Sequence, residues 1–152
     1  RAQIVPLVER QAAESTISAM PALGITEFHV GLNDLALELG LSDRLSVLAS
    51  GLVDRICAKG RDNGLRFGVG GLARAMDTQL PVHSDLVYAQ HARLGSTGAL
   101  LARSFFKKAA SSHVLSDDIK AMRVRLKYWQ SVPTHQLEQA RIELSRKSTH
   151  AN

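Results

Sequence analysis

The sequence predicts an α/β chain built from about four βα units, resembling half of an eight-fold (β/α) barrel, with helices at its C-terminal end. Three observations predict it. Short apolar runs alternate with segments of helical periodicity; two of those runs end in a carboxylate, Glu9 and Asp34; and two others are bounded by glycines, Gly70-Gly71 and Gly95 to Gly98. At 152 residues and 45% apolar content the chain suits one ordinary globular domain. A complete (β/α)₈ barrel needs roughly 250 residues, so four units match the length of half of one.

The first unit runs from Ile4 to Leu35. Ile4-Val5-Pro6-Leu7-Val8 reads as a buried strand ended by Glu9, and Arg10 to Met20 as a helix with Ala12, Ala13, Thr16, Ile17 and Met20 marking its apolar stripe. Pro21 and Gly24 close that helix, and Glu27-Phe28-His29-Val30 is the second strand. Strand, helix and strand within about 30 residues make a βαβ unit, whose crossover implies a right-handed parallel pair. Parallel strand ends lie side by side, so Glu9 and Asp34 are predicted to converge as a hard-cation site. Each also has a simpler reading, Glu9 as a helix-start carboxylate and Asp34 as an N-cap.

Asn33 and Asp34 are expected to cap a short helix, Leu35 to Leu39, stopped by Gly40. Ser42-Asp43 then caps a single helix from Leu45 to Lys59 with Leu45, Leu48, Leu52 and Ile56 inward. Cys57 lies inside it as a small buried apolar residue, and as the one cysteine it excludes a disulfide framework and a CxxC motif. A cytoplasmic location is the economical reading of that count.

Leu65 to Gly71 is the third strand, and its GxGG ending keeps phosphate contact open while being weak evidence for it. Leu72 to Leu80 reads as a loop, Ser84 to Arg93 as a helix, and Ala99 to Ala102 as the fourth strand. Arg74 and Arg103 are candidate anion contacts, with Asp77 or Asp85 as the alternative partners of either. His29 is expected to face the interior as a hydrogen-bonded core histidine, and His83, His91 and His113 to be exposed. Residues 113–152 form a C-terminal helical extension to the barrel half at 1–112. Its first helix is capped by Ser116-Asp117-Asp118, and its second begins at Pro133-Thr134.

The formal charge of +5 invites a nucleic-acid reading, but the excess lies mostly beyond Lys107 and has no aromatic interleaving for base stacking, so no nucleic-acid partner is expected. No apolar run approaches a membrane span, and none is expected. The chain opens on Arg1 and enters a strand at once, which points to a sequence that begins inside a larger protein. Four parallel strands left open would expose apolar surface and two edges, so a homo-oligomer or a complementary barrel half is expected as partner.

With these residues in place, the chain resembles the C-terminal half of the HpcH/HpaI aldolase and citrate lyase family. The resemblance rests on IVPLVE and EFHVGLNDLALELGL, and more loosely on LRFGVGGLAR and RLGSTGALLARSF, over about Ile4 to Phe106. It implies a carbon–carbon lyase or aldolase acting on a 2-oxo acid or acyl thioester, with Mg²⁺ or Mn²⁺ held by Glu9 and by Asp34 of the G-x-x-D-L turn. The cation would capture the 2-oxo acid and stabilise the enolate formed on bond cleavage. Backbone at Gly31, Leu32 and Asn33 is implied to hold the substrate carboxylate. Leu7 stands where many pyruvate aldolases of the family carry glutamine, and Leu32 where a proline often follows the turn glycine. The base and the substrate arginine implied by the family belong to the N-terminal half, outside this chain. The alternative is a catalytically silent barrel fragment that acts through self-association or pairing with a complementary half.

Overall fold

The computed structural model describes residues 2–78, 80–107 and 112–149. It contains a four-stranded parallel sheet in the order β1 (Leu7–Val8), β2 (Glu27–Val30), β3 (Arg66–Leu72) and β4 (Gly98–Leu101). The α-helices are α1 (Leu32–Glu38), α2 (Gly51–Asp62), α3 (Ser84–Leu94), α4 (Ser104–Lys107), α5 (Ser112–Gln130) and α6 (Thr134–Thr149). The α/β class and the parallel order therefore match the alternation in the sequence. Among the described residues, no helix is long and apolar enough to cross a membrane.

The register explains which residues form the core. Val8 pairs with Val30, Val30 with Val69, and Val69 with Ala99, so one row of small apolar residues, three of them β-branched valines, crosses the whole sheet. Phe28 pairs with Phe67 on the same face, and their rings stack at 5.7 Å. That face is covered by helices, and Val8, Phe28, Val30, Phe67 and Val69 are all buried. Alternation puts Leu7, His29, Gly68 and Gly98 on the opposite face. This second face stays open, with Leu7 48% and Leu100 42% exposed.

Several elements differ from the sequence expectations, each for a local reason. The segment expected as a helix from Arg10 to Met20 is a 3₁₀ helix, Gln11–Ala19. Ser15 and Thr16 donate to the carbonyls three residues back, at Ala12 and Ala13, which suits the tighter spiral, and the Glu38 carboxylate accepts from the Gln11 amide at 2.7 Å. The helix expected at Leu35 begins at Leu32, with Gly31 as its N-cap, so Asn33 and Asp34 sit in its first turn and cap nothing.

The single helix expected from Leu45 to Lys59 is two pieces, a 3₁₀ turn at Ser46–Ala49 and then α2. Ser50 breaks them with an extended backbone: its hydroxyl donates to the Val47 carbonyl and accepts from the Val53 amide, making it the N-cap of α2. Asp43 instead receives the Leu45 amide ahead of the 3₁₀ turn. The third strand continues through Leu72, which shortens the expected loop. Ser116, Asp117 and Asp118 lie inside α5, which is already helical at Ser112, rather than at its cap.

His91, expected to be exposed, is 3% exposed. The cause is the position of α3, which packs against β3 on one side and against α5 and α6 on the other. Successive residues Leu86 to His91 are therefore all buried, and a one-sided helical pattern cannot describe them. His83 is exposed as expected, while the side chain of His113 lies outside the described residues. The α5–α6 extension is tied to this body by the Arg125–Asp85 ion pair, by the Trp129 indole donating to Asp85 at 3.3 Å, and by Arg74–Asp118 at 2.6 Å. The Arg125 guanidinium holds the Asp85 carboxyl below its ordinary range.

Two measurements test this packing. A Cβ at Gly60 would stand 2.9 Å from Phe28 Cε1 and 3.0 Å from Phe67 Cδ1, whereas one at Gly51 would meet nothing closer than 3.8 Å. In urea unfolding, Gly60→Ala is expected to lose about 1–3 kcal/mol by overpacking, and Gly51→Ala to be neutral or to gain up to about 1 kcal/mol from helix propensity. Burial lowers the His91 imidazole from 6.5 to about 4. The native state thus refuses a proton that the unfolded chain accepts, so its stabilising effect is full above the unfolded value and declines as pH falls from 6.5 towards 4. Between pH 7 and pH 5 the wild type is expected to lose about 2 kcal/mol through this group. His91→Leu should flatten that window in urea titrations at the two pH values.

Candidate functional site

Glu9 follows β1 directly, one step beyond the Val8–Val30 pair, and so stands beside Gly31. The Gly31 amide donates to the Val8 carbonyl at 3.0 Å, which locks the two chain segments together at this level. The Glu9 side chain then lies across Gly31: a Cβ there would fall 2.7 Å from both Glu9 Cγ and Oε1. The glycine of the G-x-x-D-L turn is thus needed for the carboxylate to occupy its position, at an ordinary extended backbone conformation.

Asp34 enters from the first turn of α1, where the helix dipole favours a carboxylate. It shares a groove with Glu9, Arg10, Leu37 and Glu38. The structure therefore brings the two predicted carboxylates to one groove at the strand ends. Glu38, the third acid there, is engaged by the Gln11 amide.

On the other side of Glu9, at the C-terminal ends of the strands, lies a cavity of about 210 Å³. Gly31, Leu32 and Asn33 line it, as do Gly70, Gly71, Arg44 and Arg103. Of the three predicted substrate-binding positions, Gly31 has its amide committed to Val8. Leu32 and Asn33 open helix α1, whose first amides have no carbonyl four residues back and whose N-cap supplies no side-chain acceptor.

The two predicted anion contacts part company. Arg103 lines the cavity. Arg74 lies away from it, bound to Asp118 rather than to Asp77 or Asp85, bonded to the Ser104 carbonyl at 3.3 Å, and set over the Phe105 ring at 5.7 Å. Its charge is neutralised within the scaffold.

His29 sits two residues below Gly31 on the open face, with Nε2 3.6 Å from Glu27 Oε1, and Arg66 reaches the other Glu27 oxygen at 2.8 Å. Its ring lies against Gly68, where a Cβ would come within 2.2 Å of Nδ1. Cys57 is fully buried, and burial pushes its thiol up to about 12, as befits a packing residue. Arg44 is the site residue that the sequence pattern missed. It stands in an irregular turn between two helical segments and joins no strand end along the chain, so only the fold brings it to the cavity.

Among the described residues, no three His, Cys, Asp or Glu side chains gather as a metal-binding group. Two carboxylates are nevertheless a donor set that suits magnesium, which commonly takes one or two carboxylates and keeps several waters. No family model, curated protein or solved structure matches this chain.

Proposed function

We propose that this chain is the metal-binding C-terminal part of a divalent-metal-dependent carbon–carbon lyase or aldolase of the HpcH/HpaI and citrate lyase type. Its substrate is a 2-oxo acid or an acyl thioester. The observation that carries the reading is the meeting of Glu9 and Asp34 in one groove beside a cavity at the strand ends. This is where parallel α/β folds place their chemistry.

In this reading Glu9 and Asp34 hold Mg²⁺ or Mn²⁺. When bound, the cation supplies positive charge against the electron density that develops on the 2-oxo group during bond cleavage. The chain's own residues do the positioning. Gly31 gives room for Glu9, the open-ended amides of Leu32 and Asn33 receive the substrate carboxylate, and the wall of the cavity limits the substrate's size. The resemblance puts the proton-transfer base in a complementary half, and His29, which lies beside Glu27 and does not line the cavity, is given no catalytic role in this reading.

Titration calorimetry with Mn²⁺ tests the metal assignment. Glu9→Gln and Asp34→Asn are each expected to weaken binding by about tenfold or more, and Gly31→Ala to weaken it by displacing Glu9 while leaving both carboxylates present. Unchanged affinity in both carboxylate variants would remove the reading's main support.

A second reading, a silent fragment acting through association, is favoured by one observation: the sheet face away from the helices exposes Leu7 and Leu100, and Ile4 and Val5 are exposed just ahead of β1. Among the described residues β1 and β4 are the end strands of the sheet, each with one edge unpaired. Both readings thus predict that the chain pairs with a second copy or with a complementary half that completes a (β/α)₈ barrel. Sedimentation should show a dimer or larger species, and Leu7→Lys with Leu100→Lys should shift it to monomer. A stable wild-type monomer at high concentration would oppose this closure.

A further inference from the structure

We propose that a second cavity, between β4 and α5, binds a small uncharged molecule with an apolar body and one hydroxyl group, the hydroxyl bonded to His91 Nε2. Neither Glu9 nor Asp34 lines this cavity, so the inference stands independently of the metal reading. Its grounds are a gap between a strand and a helix, and an unanswered polar atom on a residue of its wall.

The gap arises where α5 passes the end of the sheet. That helix packs chiefly on α3, which leaves a cavity of about 370 Å³ between it and β4. On the strand side the row of valines gives way to Ala99, whose methyl group fills less space than the branched side chains of Val8, Val30 and Val69. Leu72 and Leu101 continue that wall, and Ile119, Met122 and Leu126 line it from α5 at helical spacing. The volume lies within the range of about 300–1,000 Å³ usual for small-molecule sites, and aliphatic walls of this kind favour an apolar guest over water.

His91 supplies the polar contact. It lines the cavity from α3, almost fully buried, and its Nε2 has no hydrogen-bond partner among the described residues. Buried polar atoms are nearly always answered, so an orphan on a residue of a cavity wall points to a group that enters from the cavity. Burial keeps the imidazole neutral at pH 7. A neutral imidazole offers one N–H and one lone pair, and a hydroxyl, which both donates and accepts, satisfies either at Nε2. The other hydroxyls beside the cavity are already engaged: Ser96 donates to the Gly98 carbonyl, and Thr97 donates to the Phe67 carbonyl while accepting from the Phe67 amide. The charged residue that lines the space, Arg123, is exposed, so a charge buried against the aliphatic walls would lack a counter-ion.

The test is an NMR titration of the full chain at pH 7, comparing 4-ethylphenol with 4-ethyltoluene, which has the same shape and carries a methyl in place of the hydroxyl. Wild type is expected to bind 4-ethylphenol about fivefold more tightly or better, and to shift the ring-nitrogen resonances of His91 with that ligand alone. His91→Leu should remove the preference and keep 4-ethyltoluene binding. Ala99→Ile, which fills the space from the strand, should weaken both ligands. Equal wild-type affinity for the two overturns the inference, as does a preference that survives His91→Leu or binding undiminished in Ala99→Ile. Failure of the wild type to bind either ligand also overturns it, and binding regained in the chain carrying both Leu7→Lys and Leu100→Lys would then assign the cavity to a second copy of the chain. None of these outcomes depends on a metal ion.

Discussion

The parallel register between β1 and β2 is the constraint on which the remaining structure depends. Pairing Val8 with Val30 places the valine row under the helices and sets Glu9 against Gly31 in the same step. A slip of one residue in β1 would turn Val8 outward and bring Leu7 into the core. It would also face the Glu9 carboxylate with Val30 or Leu32, where a side chain occupies the space that glycine leaves open. Core and candidate site are thus fixed by one set of backbone hydrogen bonds, including Gly31 to Val8 and His29 to Pro6.

Helix α3 carries the second layer of the argument. It is covered by the sheet on one side and by α5 and α6 on the other, so it must bury Gln90 and His91 along with its apolar residues. Those polar groups need local answers. The Gln90 amide donates to the Leu86 carbonyl, its oxygen accepts from Arg93, and Arg93 in turn reaches Asp54 and the Leu48 carbonyl. The Tyr88 hydroxyl donates to the Ala73 carbonyl just beyond β3. The polar groups of Gln90, Arg93 and Tyr88 are thus answered within the body, while His91 Nε2 is buried with no hydrogen-bond partner among the described residues.

Much of this was legible in the sequence because it depended on short-range pattern. The valine and phenylalanine positions of β2 and β3 announce strands, Pro133-Thr134 announces the start of α6, and the carboxylates at Glu9 and Asp34 mark strand ends that the fold does bring to one groove. What the pattern could not show depends on contacts made across the chain. His91 reads as a surface residue until α5 and α6 arrive, Arg74 reads as an anion contact or a partner of Asp77 or Asp85 until Asp118 on α5 reaches it, and Arg44 has no strand to mark it. The break at Ser50 is a different case. Its hydroxyl competes locally for backbone groups that a continuous helix would use, and helical periodicity on either side conceals that competition.

The open face of the sheet and the glycines of the site follow from the same requirement. On that face Gly68 accommodates His29, Gly98 lies beside it, and Gly31 accommodates Glu9, so the larger polar groups of β1 and β2 are fitted against bare backbone of neighbouring strands. Such fitting confers little hydrophobic stabilisation, because glycine offers no side chain to bury. The stabilising burial must therefore come from the helix-covered face, where Phe28, Phe67 and the valine row lie. A sheet divided in this way has one surface specialised for holding the chain together and one left free to position polar groups. That division is what allows Glu9, Arg44 and Arg103 to stand around a cavity with no part in the core.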